Sequence, residues 1–314
     1  MQTDIQELSA LVGASVIAVE RCAMGFENRT DLVTLADGQR RIVQRITSRA
    51  LAPHKIRLAQ QLPERLAAVG VRLPRVLAAD PHAEPPYLVR EYLHGAPANT
   101  LLADDASATT LARAMGALLP RLAQVDTAGL GLHRGWADGE RLARQSRQHL
   151  DRCRPLLDAA TLRKLEQTIA AVPELFAGRG GCFAHGDFCP VNALVSAEQR
   201  TTSKEHNVKL RKEGFTPSAI SLIDVEFARV ADPLFDAAWW GWVVRYHHPE
   251  RWRVACPVLL KAAGIKHDDL TIERVQALQR LRCLETLSYY LVTRGADGAA
   301  MWMQRLTTTV AWEL

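Results

Sequence analysis

The chain has 314 residues, 48% of them apolar, with a formal net charge of +5 at pH 7 and a pI near 9.0. This length and composition indicate a globular protein with one large domain or two lobes. Basic residues alternate with acids along the chain, which argues against a nucleic-acid partner. The chain contains no run of eighteen or more apolar residues, which argues against a membrane partner. The acidic N-terminus, MQTDIQELSALVG, lacks the features of a signal peptide, so we expect a cytoplasmic protein. The six cysteines form no CxxC pair and are predicted to be reduced structural thiols.

The first ninety residues are predicted to form a small sheet with one long helix. After a short helix over 4–11, the runs SVIAVERC, NRTDLVTL and RRIVQRI are β-rich, and the last two are joined across Ala36, Asp37 and Gly38 as in a hairpin. A helix is predicted over 52–69, where Gly70 ends it. RVLAA and YLVREYL then supply two more short strands.

From about residue 95 the pattern becomes helical. Helices are predicted over 106–125, 138–153, 159–171 and 236–246, with two or three more towards the C-terminus. Two short strands, 193–196 and 219–224, flank a Lys-rich segment at 203–215 and are predicted to pair as a hairpin. We therefore expect an N-terminal lobe over 1–93, a helical lobe over 94–314, and a ligand cleft between them.

One short stretch, FAHGDFCPVNALV at 183–195, carries the chemistry. If the two short strands pair, Asn192 and Asp224 arrive side by side, and a carboxamide oxygen with a carboxylate suits Mg²⁺. Asp187 is then free to accept a proton. A base, two metal ligands and a β-rich lobe that covers a nucleotide are the parts needed for phosphoryl transfer from ATP.

Three segments in this order, HGDFCPVN at 185–192, LIDVE at 222–226 and ADPLFDAAW at 231–239, resemble the aminoglycoside phosphotransferase and choline kinase superfamily. The resemblance implies an α+β, protein-kinase-like fold with a β-rich N-terminal lobe and a mainly helical C-terminal lobe. It also implies ATP, or GTP, and Mg²⁺ as cofactors.

Roles for individual residues follow from the same resemblance. It implies that Asp187 is the catalytic base, that His185 organises its loop, and that Asn192 and Asp224 bind Mg²⁺. Asp232 and Asp236 are expected to brace the catalytic segment. The nucleotide is expected to meet the turn GFENRT with Gly25 and Asn28, the side chain of Arg45 in place of the family's common Lys, and the backbone of Glu91, Tyr92 and Leu93.

The sequence thus predicts a kinase that phosphorylates a hydroxyl group of a small molecule, such as an amino sugar, an amino alcohol, an antibiotic or a similar metabolite. The alternative is a catalytically weak, pseudokinase-like nucleotide-binding module. A protein kinase is disfavoured because IDxE replaces an Asp-Phe-Gly segment, and no protein partner can be inferred. Trp239, Trp240 and Trp242 have helical spacing, which fits core packing, although one or two could line an acceptor pocket.

Overall fold

The structure, a computed structural model, describes residues 2–22, 28–196 and 219–312. Gly25 of the predicted phosphate turn and the Lys-rich segment therefore lie outside the described residues. The N-terminal part is a five-stranded antiparallel sheet in the order β1-β2-β3-β5-β4 with two helices. Its elements are α1 (Gln2–Val12), β1 (Val16–Arg21), β2 (Arg29–Leu35), β3 (Arg40–Arg45), α2 (Ala52–Ala67), β4 (Val76–Asp80) and β5 (Tyr87–Glu91).

The turn and the helix end predicted for this part are confirmed. Gly38 has a φ of +83° in the β2–β3 hairpin, and Gly70 has a φ of +73° just after α2. Both values lie in the left-handed region that glycine adopts without steric cost.

The two faces of the sheet have different partners, and this difference positions the site. Val33, Val43 and Val89 pack against Leu8 and Val12 of α1 on one face. Leu88 packs on the other face with residues of the loop before α2 and of α2 itself, namely Ile46, Ala52, Ile56 and Ala59. Because side chains alternate along a strand, neighbours in β3 belong to opposite faces.

The rest of the chain is mainly helical. Its helices are α3 (Asp105–Gly116), α4 (Leu119–Leu122), α5 (Gly139–Cys153), α6 (Ala159–Leu175), α7 (Phe235–His247), α8 (Pro249–Ala262) and α9 (Asp269–Ala311). Short strands form two three-stranded sheets, β10-β9-β6 and β7-β11-β8. These strands are β6 (Ala96–Pro97), β7 (His133–Trp136), β8 (Cys182–Ala184), β9 (Ala193–Val195), β10 (Ile220–Leu222) and β11 (Arg229–Ala231).

The helix predicted over 106–125 is broken in two. It stops at Gly116, where α3 packs so closely on α8 that a Cβ would lie 2.4 Å from the carbonyl oxygen of Leu259. The chain resumes as α4, which has Pro120 in its first turn. A glycine is needed for the close approach, and a proline is tolerated only at a helix start.

The last helix contains a reversal at Gly295. This glycine has φ 70° and ψ −172°, which is not helical. Tyr290 contacts Trp302, with ring centroids 6.1 Å apart, and the sulfur of Cys283 lies 3.6 Å from Oγ1 of Thr309. Since these pairs are centred near the reversal, the two halves of α9 form an antiparallel hairpin.

Composition also predicted the state of the cysteines and the absence of a membrane partner. All six cysteines are free, as predicted. Among the described residues, no helix has both the length and the apolar character needed to cross a membrane.

Candidate active site

The stretch HGDFCPVN forms a tight loop between β8 and β9. Gly186 has a φ of +85°, and a Cβ at this position would lie 1.9 Å from the carbonyl oxygen of Phe227. Only glycine fits both the dihedral angle and the approach of the neighbouring backbone. The loop is therefore pressed against the segment that follows Asp224.

His185 is fully buried and links the loop to that segment. Its Nδ1 lies 3.3 Å from the backbone nitrogen of Asp187 and accepts its hydrogen bond, and its Nε2 lies 3.0 Å from the carbonyl oxygen of Ile223. The carbonyl can only accept, so Nε2 carries the proton of a neutral imidazole. This arrangement agrees with the loop-organising role predicted for His185.

The carboxylate of Asp236 stabilises the backbone of this loop, as predicted. Its two carboxylate oxygens accept hydrogen bonds from the backbone nitrogens of His185, at 2.7 Å, and Gly186, at 3.0 Å. Burial raises the pKa of Asp236, while the hydrogen bonds from the backbone nitrogens of His185 and Gly186 act in the opposite direction. Asp232, four residues earlier, accepts from Arg179 at 3.0 Å and from the backbone nitrogen of Leu234 at 2.8 Å, so it joins the segment before β8 to the start of α7.

The carboxylate of Asp187 is partly exposed and is held at both oxygens. Nδ2 of Asn192 donates to Oδ2 at 2.7 Å, and Nε1 of Trp239 donates to Oδ1 at 2.7 Å. Asn192 also donates to the backbone oxygen of Asp187 at 3.0 Å. Because its nitrogen is engaged in this way, the Oδ1 atom of Asn192 is the end of the amide that can face a metal.

The predicted hairpin brings Asn192 and Asp224 together. Ala193 in β9 pairs with Leu222 in β10, and the backbone nitrogen of Ile223 donates to the carbonyl oxygen of Asn192 at 2.9 Å. Asp224 follows at once with a φ of +60°, an uncommon conformation for a residue with a side chain. Strained backbone of this kind is concentrated at functional sites.

Asp224 lies in an unusual electrostatic environment. Its Oδ1 atom is buried and has no hydrogen-bond partner among the described residues. Burial, followed by the nearby carboxylates of Glu226 and Asp187, raises the pKa of Asp224 to about 7, although Arg90 and Lys55 oppose this shift. An unpaired buried carboxylate oxygen is costly unless a cation or a donor satisfies it.

Glu226 connects this site to the N-terminal sheet. Its carboxylate accepts from Nζ of Lys55 at 2.5 Å, from Nε2 of Gln44 at 3.0 Å and from Nδ2 of Asn28 at 2.6 Å. The side chains of Lys55 and Glu226 are 9% and 7% exposed. The structure thus brings the predicted residue Asn28 next to the site, together with three residues that sequence reasoning did not assign.

The structure places Arg45, which was predicted to meet the nucleotide, on the face of the sheet opposite to this site. Its guanidinium is buried and pairs with Glu7 of α1 at 2.9 Å and with Asp31 of β2 at 3.2 Å. Gln44, its neighbour in β3, is the residue that points towards Glu226. The reason is the alternation of the strand, since Arg45 shares the α1 face with Val43.

Two cations lie near Asp224 instead. Lys55 comes from α2, and Arg90 comes from β5, where it lines a small cavity together with Asp224. Burial lowers the pKa of Arg90, while Asp224 and Glu226 raise it. One signal in the sequence pointed to Lys55, because it is the only lysine in the first 163 residues.

The segment predicted to meet the adenine follows β5. The backbone nitrogen of Glu91 donates to the carbonyl oxygen of Arg75 at 3.0 Å. The ring of Tyr92 lies 4.3 Å from the guanidinium carbon of Arg40, and Leu93 is buried. The contact of these three residues with a nucleotide stays a prediction.

Comparison with solved structures gives the class of protein. The GDP and kanamycin complex of APH(2")-IIia matches with a TM-score of 0.75 and 16% identity, and the alignment covers 99% of this chain and 98% of that one. The apoenzyme of macrolide 2'-phosphotransferase MphH from Brachybacterium faecium matches with a TM-score of 0.70, 16% identity and 100% coverage of both chains. The streptomycin–ATP complex of APH(2")-IIa matches with a TM-score of 0.62, 13% identity and coverage of 98% and 96%. At these identities the likeness shows the fold, which is protein-kinase-like.

The family follows from the sequence comparison. The model of the phosphotransferase enzyme family, APH, matches residues 18–202, which is more than half of the chain. The chain therefore belongs to this family and is a phosphotransferase. A search of curated protein sequences finds no significant match.

Proposed function

We propose that the protein is an ATP- and Mg²⁺-dependent kinase that transfers the terminal phosphoryl group to a hydroxyl group of a small molecule. The observation that carries the proposal is the convergence of Asp187, Asn192 and Asp224 at the end of one hairpin. These three polar side chains lie between the sheet and the helical lobe and can act as a base and two metal ligands. This favours phosphoryl transfer over a purely structural role for the loop.

Asp187 is the base of the proposed reaction. It takes the proton of the acceptor hydroxyl while the oxygen of that hydroxyl bonds to the terminal phosphorus of ATP. The bond from this phosphorus to the bridging oxygen breaks, and ADP leaves with the electron pair. The donors from Asn192 and Trp239 hold the carboxylate in one orientation, which is the main contribution that a protein makes to this chemistry.

Asn192 and Asp224 fit a Mg²⁺ ion. Mg²⁺ is usually held by one or two protein oxygens together with phosphate oxygens and water. The buried, unpaired Oδ1 of Asp224 suits such an ion, as does the amide oxygen of Asn192. When bound, Mg²⁺ would neutralise charge on the phosphates.

Lys55 and Arg90 replace Arg45 as the proposed phosphate contacts. In protein kinases, the cation comes from the third strand and its acidic partner from the following helix. Here the third strand supplies the neutral Gln44 and the helix supplies Lys55, which pairs with Glu226. We infer that the cation comes from this helix and that its acidic anchor, Glu226, comes from the segment after β10. The proposed contacts at the edge of the nucleotide site remain Asn28, which also binds Glu226, and the backbone of Glu91, Tyr92 and Leu93.

The acceptor is proposed only as a class. Solved structures with this fold are described as complexes with kanamycin or streptomycin, or as macrolide 2'-phosphotransferases, all of which concern small molecules with hydroxyl groups. Some are described with GDP and one with ATP, so both ATP and GTP belong in the test.

The experiment is a nucleotide-consumption screen over amino sugars, amino alcohols, nucleosides, aminoglycosides and macrolides. Each acceptor is tested with ATP and with GTP, with and without Mg²⁺, and products are identified by mass spectrometry. Asp187→Asn serves as the control. We expect a phosphorylated acceptor only with Mg²⁺, and about 10²- to 10⁴-fold slower formation of it with Asp187→Asn than with the parent protein. Nucleotide binding without turnover on any acceptor would favour the pseudokinase alternative and overturn the proposal.

A further inference from the structure

Trp239 makes a contact that core packing does not require. Trp239 is 6% exposed, and its Nε1 atom lies 2.7 Å from Oδ1 of Asp187. A buried indole needs a hydrogen-bond acceptor for its N–H group, and a backbone carbonyl would be sufficient. Here the acceptor is instead the carboxylate that we propose as the base. The distance is that of a strong, charge-assisted hydrogen bond.

The indole of Trp239 is itself held in place. It stacks on Trp242 with ring centroids 4.7 Å apart and an interplanar angle of 4°. Trp242 is anchored to the second half of α9 because its Nε1 donates to Oγ1 of Thr309 at 2.8 Å. The guanidinium of Arg282 lies 5.4 Å from the centre of the Trp239 ring. A ring packed in this way cannot turn its N–H group away without disturbing its neighbours.

Arg282 is fixed in turn by charge. It pairs with Glu285, which also accepts from Arg229 at 2.9 Å and from Nε1 of Trp136 at 3.1 Å. Burial would raise the pKa of Glu285, but the two guanidinium groups outweigh it and hold the pKa well below its usual range. The support behind Trp239 is therefore a buried ionic cluster on one side and the α9 hairpin on the other.

We propose that Trp239 is a positioning residue for the reaction, in that it fixes the orientation of the Asp187 carboxylate. This inference rests on the proposed function of Asp187 as the base. Two donors from different elements, Asn192 from the loop and Trp239 from α7, each bind one oxygen and together define the plane of the carboxylate. An indole N–H can donate and cannot accept, so it orients the base without competing for the proton.

The kinetic test compares Trp239→Phe with Trp240→Phe. Both changes keep an aromatic ring and remove one buried indole hydrogen bond, but the bond of Trp239 goes to Asp187 and that of Trp240 goes to the sulfur of Met115. We expect Trp239→Phe to lower kcat about 10- to 100-fold, with KM for ATP within about threefold, because a misplaced base affects the chemical step and not nucleotide binding. Trp240→Phe should lower the thermal stability about as much as Trp239→Phe does and keep kcat within about threefold. Equal kcat losses in the two variants would overturn the proposal.

A second measurement does not depend on turnover or on the folding of Trp239→Phe. The protein has seven Trp residues, and ¹⁵N labelling resolves their indole N–H groups by NMR. We expect downfield indole protons for Trp239 and for Trp136, whose Nε1 donates to Glu285, and only the proton of Trp239 should move upfield in Asp187→Ala while the others stay in place. No shifted indole signal in a folded Asp187→Ala would overturn the hydrogen bond. If the parent protein shows no kinase activity but this signal behaves as expected, the proposed function fails and the contact stands.

Discussion

Replacement of Lys55 by Met tests whether the phosphate cation comes from α2. The side chain of Met has a similar length and no charge, so the change removes the ammonium and leaves the packing nearly intact. Lys55 lies 2.5 Å from Glu226, and both are more than nine-tenths buried. We expect kcat/KM for ATP to fall by about 10²- to 10³-fold, or about 3–4 kcal/mol, which is typical for one charge-stabilising group in a desolvated site.

Stability should change less than activity. Removal of one partner from a buried ion pair commonly costs about 3–5 kcal/mol, because the remaining charge is left without compensation. Glu226 keeps the donors from Gln44 at 3.0 Å and Asn28 at 2.6 Å, so we expect a loss of only about 1–3 kcal/mol in the free energy of unfolding. The double variant Lys55→Met/Glu226→Gln should recover most of this loss, since neither charge of this pair remains, but should not recover activity.

The assay is steady-state kinetics with ATP as the varied substrate, together with chemical denaturation of each variant. Arg45→Met is the matched control because it removes a buried cation of the same lobe from the α1 face. We expect it to lose stability and to keep kcat/KM for ATP within about threefold, as for changes away from a site. If a folded Arg45→Met loses more activity than Lys55→Met, the assignment of faces is wrong and the phosphates lie elsewhere.

Three further outcomes are expected. Asp187→Asn should lower kcat by about 10²- to 10⁴-fold with nucleotide binding retained, and near-normal turnover would remove Asp187 from the role of base. Asp224→Ala should abolish activity and make ATP binding insensitive to Mg²⁺ in isothermal titration calorimetry, whereas an unchanged Mg²⁺ dependence would place the metal elsewhere. Gly186→Ala should inactivate the enzyme, because its Cβ would lie 1.9 Å from the carbonyl oxygen of Phe227. The control is Gly178→Ala, where φ is +71° and a Cβ would have no atom within 4 Å. This variant should lose only about 1–3 kcal/mol in the free energy of unfolding and keep its activity.

Much of the candidate site could be predicted because its parts are close in sequence or joined by one hairpin. His185, Asp187 and Asn192 lie within eight residues, so local backbone geometry sets their relative positions. The predicted pairing of β9 with β10 then adds Asp224, and the structure sets its register, with Leu222 opposite Ala193. The strands and the helix of the N-terminal lobe were also predictable, since their periodicity extends over five residues or more.

Short elements were harder to predict. β6, β7, β8 and β11 have two to four residues each, too few for a periodic pattern, and each exists only because a distant strand pairs with it. Two or three helices were predicted after residue 246, but the position of the reversal at Gly295 was not predicted, because the packing of the two halves of α9 against each other defines it.

The sequence by itself determined which side chains perform the proposed chemistry of the catalytic loop, because covalent proximity restricts where they can lie. Which cation faces that loop was decided by the tertiary structure. Alternation shows that Gln44 and Arg45 point to opposite faces, but it does not show which face is the cleft until α1 and α2 have packed. Lys55 and Glu226 are 171 residues apart, and Trp239 and Asp187 are 52 apart. Contacts over such separations depend on how whole elements pack, and no local pattern in the chain encodes that packing.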